Sequence, residues 1–399
     1  MSEQESPDPR QRAYAADILG MTEEEMRSAG YRVVDMVVER LANRAGEPAI
    51  ASAPAAELLA ALGGDIPQHP LPVEASLQVL AEVALANQQH GDHPRYFARV
   101  PGPAAYAAML GEWLATGYNS ICASWAGGSG PAALELVVID WLRQLLGLRH
   151  ATSGVLQSGG SMASLTAFAA IRAGRGNGTV YFSDQTHASL PRALLRVGFG
   201  EEDLRPLPSD SDFRLPVGEL ARAIDGDRNA GAAPLMVIAN AGTTNTGSVD
   251  PMPAIADLCR DRGLWLHVDA AYGGPAALTE RGRVELAGLE DADSVVLDPH
   301  KWLFQPYDIG CLLMRPGVLE AGFSMTPEYL RDVQSATDVD FRDRGPELSR
   351  RARAAKLWLS FRSYGLLRIR QAIAAGIDLA EFAEARLRAQ PDRWEVISP

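Results

Sequence analysis

Lys301 has the clearest chemical setting of any side chain in this sequence. It lies in Asp298-Pro299-His300-Lys301-Trp302, directly after the apolar run Ser294-Val295-Val296-Leu297. Upstream, the run Leu264-Trp265-Leu266-His267-Val268 ends at Asp269 and continues as Ala270-Ala271-Tyr272. Short apolar runs of this kind predict buried strands. Two strands therefore each finish with a charged group at their carboxyl end, the edge where open α/β sheets bind ligands. An acid and an amine held there suit a pyridine-aldehyde cofactor. The lysine would form a Schiff base, and the carboxylate would keep the ring nitrogen protonated so that the ring can accept electrons. The plainer reading of Asp269 is a helix N-cap at a strand–helix turn.

Three further segments are candidates for the same edge. Ser158-Gly159-Gly160-Ser161 follows Gly154-Val155-Leu156-Gln157 and precedes an apolar helix. Small residues there let backbone N–H groups approach a phosphate, although glycine-rich turns are common. His187 follows the run Val180-Tyr181-Phe182 and could stack on a ring and move protons, or be an ordinary turn histidine. Thr244, in Gly242-Thr243-Thr244-Asn245-Thr246-Gly247, could hydrogen-bond cofactor or substrate, or be a loop threonine.

The elements that must position these groups alternate. Strands are predicted at Thr179–Phe182, Leu235–Ala239, Leu264–Val268 and Ser294–Leu297, with a further one at Ile309–Met314. Helices are predicted after Ser161, Ser189, Val217 and Pro253. This rhythm implies an α/β fold, a mainly parallel sheet with helices on both faces. Thr22-Glu23-Glu24-Glu25 marks a helix start in an N-terminal arm. Pro131 opens a helix that stops near Gly147, and two helical patterns, Arg351–Tyr364 and Leu366–Ala389, close the chain.

Bulk properties narrow the function. The 399 residues are 47% hydrophobic and carry a formal net charge of −13, which disfavours nonspecific nucleic-acid binding and attraction to anionic membranes. Cys122, Cys259 and Cys311 are widely spaced and imply neither a disulfide framework nor a metal site. The polar start lacks a signal-peptide core, and no apolar run is long enough to span a bilayer. A cytoplasmic protein is expected.

Taken together, HVDAAYGG and DPHKW at this separation make the chain similar to the group II pyridoxal-phosphate decarboxylases, the family of aromatic-L-amino-acid and glutamate decarboxylases. The likeness runs from His93-Pro94-Arg95-Tyr96-Phe97 to Lys356-Leu357-Trp358 and takes in Glu135 to Leu142. It implies the pyridoxal-phosphate transferase fold of type I, with a seven-stranded-type sheet. It also implies a homodimer with shared sites, and domains at 1–104 (arm), 105–357 (cofactor-binding) and 358–399 (partial C-terminal domain). Family members continue beyond the point matching Trp394–Pro399, so a shortened C-terminal segment is expected. By resemblance Lys301 is the Schiff-base lysine, Asp269 the pyridinium partner, His187 the ring-stacking histidine, and Thr244 and Ala271 lie near the cofactor. Gly160, Ser161, His300 and Asp298 match phosphate-side positions. Asp298 stands where aromatic decarboxylases usually carry asparagine, and a carboxylate beside a phosphate needs a proton or a cation.

The resemblance implies decarboxylation of an L-amino acid to an amine and carbon dioxide. Two departures bear on it. Alignment from Arg350-Arg351 puts Phe341 where decarboxylases bring a loop tyrosine as proton donor. Aldehyde synthases of the family carry phenylalanine there and consume oxygen, releasing aldehyde and hydrogen peroxide. In the substrate pocket, Arg99-Val100-Pro101-Gly102 replaces an aromatic-rich stretch, and Ala123 replaces a phenylalanine. Aromatic substrates lead and acidic ones come second; Arg99 could bind a distal carboxylate, though the plainer reading is that it faces solvent. Transamination, cysteine desulfuration and a catalytically impaired cofactor-binding protein are the competing readings.

Overall fold

The computed structural model describes residues 19–98, 102–150, 153–325 and 338–398. The chain divides into two compact units, Met1–Ala98 and Arg99–Pro399. In the first, helix α1 (Glu23–Asn43) starts with the expected capping box, Thr22 and Glu25 satisfying each other's backbone N–H. Two short helices, α2 (Ala55–Leu62) and α3 (Val73–Val79), follow. Arg40 forks onto both oxygens of Asp92 at 2.8 Å and ties the end of this unit to α1.

The second unit is built on one sheet of strands β1 (Ser153–Gln157), β2 (Thr179–Ser183), β3 (Leu204–Leu207), β4 (Pro234–Asn240), β5 (Trp265–Asp269), β6 (Ser294–Leu297) and β7 (Gly310–Met314). Their order is β1-β7-β6-β5-β4-β2-β3. Only β7 runs against its neighbours; the pairs from β3 to β6 are parallel. Reversal of this single strand leaves the carboxyl ends of the other six on one edge. The strands predicted from apolar runs are present. The two missed in the prediction, β1 and β3, are the edge strands; β3 contains Pro206 and is only partly buried, as an edge position allows.

Helices α4 (Tyr106–Gly117), α5 (Trp125–Leu145), α6 (Gly160–Arg175), α7 (Ser189–Arg196), α8 (Val217–Asn229), α9 (Met252–Arg262), α10 (Glu280–Glu285), α11 (Val318–Phe323) and α12 (Ala354–Arg388) complete the unit. Helix α5 begins earlier than Pro131 predicts. Ser124 caps it through the N–H of Gly127, and the helix breaks at Gly128. The break leaves Pro131 in the first turn of the following segment, where its missing N–H costs nothing. Helix α12 breaks at Gly365, φ +70°, between the two predicted helical patterns, and it runs unbroken across position 357. Val155, Val180, Val237, Ile238, Val268, Val295, Val296 and Leu312 form the fully buried centre of the sheet.

Candidate active site

The topology collects the candidate groups. β4, β5 and β6 are in register, with Asn240 opposite Asp269 and Asp269 opposite Val296. The turn after β5 and the turn after β6 are laced together. Ala270 N–H donates to the Val296 carbonyl at 2.9 Å, and Asp298 N–H to the Ala271 carbonyl at 3.2 Å. The rings of Tyr272 and Trp302 stack at 5.6 Å. Lys301 N–H closes a tight turn onto the Asp298 carbonyl at 2.9 Å. This turn brings the Lys301 amine to 3.2 Å from Asp298 Oδ2, with the lysine side chain 24% exposed and the acid 5%. The amine is thus oriented by an acid yet open on one side, as a covalent anchor must be.

Asp269 accepts the Ala271 N–H at 3.0 Å. It is half-buried, but protein surrounds its carboxyl group, and desolvation pushes its pKa up, opposed by the Ala271 N–H and the charge of Lys301. Such an acid awaits a cation. Two residues back on the same strand face, His267 packs edge-on against Phe168 of α6 at 5.0 Å. Ser294 Oγ accepts the Trp265 Nε1–H at 2.8 Å and shares a hydrogen bond with His267 Nδ1, also at 2.8 Å. Full burial pushes the His267 pKa down to about 3. His267 is a neutral spacer beneath Asp269.

The glycine turn lies across β7. Gly159 caps α6 without any side-chain hydrogen bond, so the first N–H groups of the helix are open to an anion. Two glycines permit the close packing: a Cβ at Gly310 would lie 2.5 Å from the Gly159 carbonyl carbon, and one at Gly160 would lie 3.0 Å from Asp298 Oδ2 and 3.4 Å from the Ala271 Cβ. His300 is buried, accepts the Ile309 N–H on Nδ1 at 3.4 Å and turns Nε2 toward Asp298 Oδ2 at 3.6 Å. Ser161 is exposed at the helix start.

His187 is exposed and oriented by Ser189, whose Oγ is 2.7 Å and whose N–H is 3.3 Å from Nδ1. It lies near enough to Asp269 to favour the ionised carboxylate. Thr244 is exposed in a turn tied by Thr243 N–H to Ser248 O and Gly247 N–H to Thr243 O, each 3.0 Å. Residues the sequence reading passed over hold these turns. Asp250 accepts the Asn240 backbone N–H at 2.7 Å and its amide at 2.9 Å, and that amide also reaches Ser183 and Thr186 on the His187 loop. Gly102 approaches so closely that a Cβ there would lie 1.7 Å from the Lys301 carbonyl. A glycine beside an altered motif was the available signal.

Arg99, Val100 and Pro101 lie outside the described residues. Ala123 is buried, and its carbonyl accepts the Arg342 N–H at 2.9 Å; no described contact joins it to Lys301 or Asp269. Phe341 is not brought to the site either. It is fully buried in a short 3₁₀ turn, with the guanidinium groups of Arg344 at 5.4 Å and Arg350 at 5.0 Å from its ring. It is a core side chain, so the loop alignment that made it a catalytic position is corrected.

The residues present fit a pyridoxal cofactor: an open helix start cradled by glycines, a buried carboxylate oxygen of Asp298 with no hydrogen-bond partner, a buried acid at the neighbouring strand end and an accessible amine between them. Fold and site define a pyridoxal-dependent lyase of the α/β class. The sequence profile described as the pyridoxal-dependent decarboxylase conserved domain matches residues 56–398, and the chain belongs to that family. It is 42% identical to an aromatic-L-amino-acid decarboxylase of Bacillus atrophaeus over 96% of this chain and 81% of that protein. It is 34% identical to a phenylacetaldehyde synthase of Petunia hybrida over 94% of this chain and 78% of that protein. The structure of Oryza sativa TDC with PLP and tryptamine superposes with a TM-score of 0.90 at 28% identity, covering 95% of this chain and 82% of that one.

Proposed function

We propose that the chain decarboxylates an aromatic L-amino acid, releasing the amine and carbon dioxide. The reading rests on the Lys301 amine and the Asp269 carboxylate at the ends of adjacent, in-register strands. When bound, pyridoxal phosphate supplies the electron sink that lets carbon dioxide depart. Lys301 would hold the cofactor covalently and release it to the incoming substrate amine. Asp269 would keep a proton on the ring nitrogen. The N–H groups at Gly160 and Ser161 would face the phosphate, with His300 and Asp298 beside them, while Ala271 and Thr244 would border the ring. His187, held by Ser189, would cover the ring and exclude water. The aromatic preference is supported by the relatives' activities. Arg99, Val100, Pro101 and Ala123 are retained as the substrate-side candidates.

The burial of Phe341 removes the observation that favoured an oxygen-consuming aldehyde synthase. The stretch 326–337, outside the described residues, contains one tyrosine, Tyr329. We assign it as the phenol that returns a proton to Cα. Product mass spectrometry on an amino-acid panel, with and without oxygen, tests the whole reading. Aromatic amine formed at an unchanged rate without oxygen is expected; ammonia and peroxide in place of amine, or no amine from any aromatic substrate, would overturn it. Tyr329→Phe is expected to divert product toward aldehyde.

A homodimer is proposed as well. Leu110, Trp113, Leu114 and Tyr118 on and after α4 are exposed, as are Met26, Tyr31, Val33 and Val38 on α1, and apolar surface on this scale calls for cover. Light scattering at twice the chain mass is the expected result. Among the described residues no helix is long and apolar enough to cross a membrane. The three free, buried cysteines suit the reducing cytoplasm, the location proposed.

A further inference from the structure

We propose that Asp298 makes cofactor capture proton-linked: the phosphate seats at the start of α6 as Asp298 takes up one proton, which its unpartnered oxygen then donates to the phosphate. This rests on the reading above that α6 receives the phosphate. Asp298 is 3% exposed. Its Oδ2 is engaged by Lys301 at 3.2 Å, whereas Oδ1 has no hydrogen-bond partner among the described residues. The carboxyl stands against the backbone that opens the helix, since a Cβ on Gly159 would lie 4.0 Å from Oδ1 and one on Gly160 3.0 Å from Oδ2. Without cofactor this arrangement is self-consistent, because a helix N-terminus and a lysine both favour an anion.

Cofactor binding changes both partners. Lys301 is drawn into the covalent link, and a phosphate brings further negative charge to the same N–H groups. Two anions cannot share a buried site without a proton or a cation. Among the described residues no neighbouring group supplies the cation. His300 accepts the Ile309 N–H on Nδ1, so its single proton lies on Nε2; a second would have to displace that N–H, and burial already pushes its pKa down. Lys356 is held by the Pro306 and Asp308 carbonyls, and Glu112 answers its charge at 2.7 Å. Asp269 adds negative charge. On β7, the Cys311 thiol is pushed well up by burial and stays protonated. Tyr307, packed on His300 at 4.5 Å, brings no positive charge. The proton therefore goes to Asp298 itself.

Calorimetric titration of the cofactor-free full chain, in two buffers of different ionisation enthalpy, counts protons taken up on binding. At about pH 8 a phosphate monoester is already dianionic. Pyridoxal phosphate should then take up about one proton more than pyridoxal, which forms the same link to Lys301 but lacks the phosphate. In Asp298→Asn the extra proton should vanish. The affinity ratio of phosphorylated to unphosphorylated cofactor should then lose about tenfold of pH dependence per unit. Equal proton counts for the two cofactors in the unmodified chain overturn the inference whatever the variant does. If pyridoxal phosphate binds no tighter than pyridoxal, the phosphate-site reading falls with it. Binding of pyridoxal by Asp298→Asn reports that the variant is folded.

Discussion

Two regions of this molecule place charges inside protein, and they treat them in opposite ways. Beneath β1, Arg350 and Glu135 are both wholly inaccessible and 2.7 Å apart. Glu135 also accepts the Leu156 N–H at 2.8 Å and the Cys122 thiol at 3.4 Å. Arg350 also donates to the Cys122 and Leu156 carbonyls at 2.7 and 2.6 Å and lies over the Phe341 ring. This staple joins α5, β1 and the segment before α12, and it fixes the strand that delivers Ser158 to the phosphate side. At the pyridoxal site the charges are left incomplete. Lys301 is partly open, and among the described residues Asp298 keeps a bare oxygen and Asp269, its pKa raised by burial, has no cation at hydrogen-bond distance. Nearly saturated charges hold a fold, whereas unsaturated ones are kept for a ligand.

The sharpest break of this comparison is at Lys301. Lys301→Ala should reduce carbon dioxide release by about 10⁴-fold or more and abolish borohydride-fixed cofactor, with the melting temperature of the cofactor-free chain almost unchanged. Next is the staple. Glu135→Ala strands a buried guanidinium and should cost about 3–5 kcal/mol in denaturant titrations; a loss below about 1 kcal/mol would show that water or rearrangement replaces Glu135.

Asp269→Asn should behave in the reverse sense. Turnover should drop about 10²–10³-fold, yet the cofactor-free chain should become more stable near neutral pH. The sign follows from the raised pKa: the folded chain binds that proton more tightly than the unfolded one, so ionising the acid costs stability as pH rises through the shifted value. Absence of any gain in melting temperature would remove the picture of an acid awaiting a cation.

Smaller effects separate core from chemistry. Phe341→Leu should cost about 1–2 kcal/mol and leave the ratio of amine to aldehyde unchanged; a changed ratio would restore Phe341 to the reaction. His267, neutral when folded down to about pH 3, is protonated in the unfolded chain below about 6.5. Stability should therefore fall by up to about 1.4 kcal/mol per pH unit as pH drops between those values. His267→Asn should remove that one-proton slope in acid titrations.

The motifs themselves were legible because their chemistry is local. An apolar run ending in Asp269, another delivering Lys301, and a glycine turn before an apolar helix each announce a strand end or helix start within a few residues. The five inner strands followed from the same runs. The edge strand β3 was harder to see because an edge needs little apolar patterning, and Pro206 disguised it further. Phe341 was misplaced because spacing counted from Arg350-Arg351 cannot distinguish a loop above a site from a turn below the sheet. Only packing shows the ring beneath two guanidinium groups.

What the sequence by itself determined was the set of reactive groups and the class of sheet that presents them, since hydrophobic period and turn chemistry act over short stretches of chain. The tertiary structure decided which charges are answered and which are left open. That outcome depends on contacts such as Arg350 with Glu135, 215 positions apart, and on Gly159 lying against Gly310. Such pairings are fixed by strand order and close packing, which no local pattern encodes.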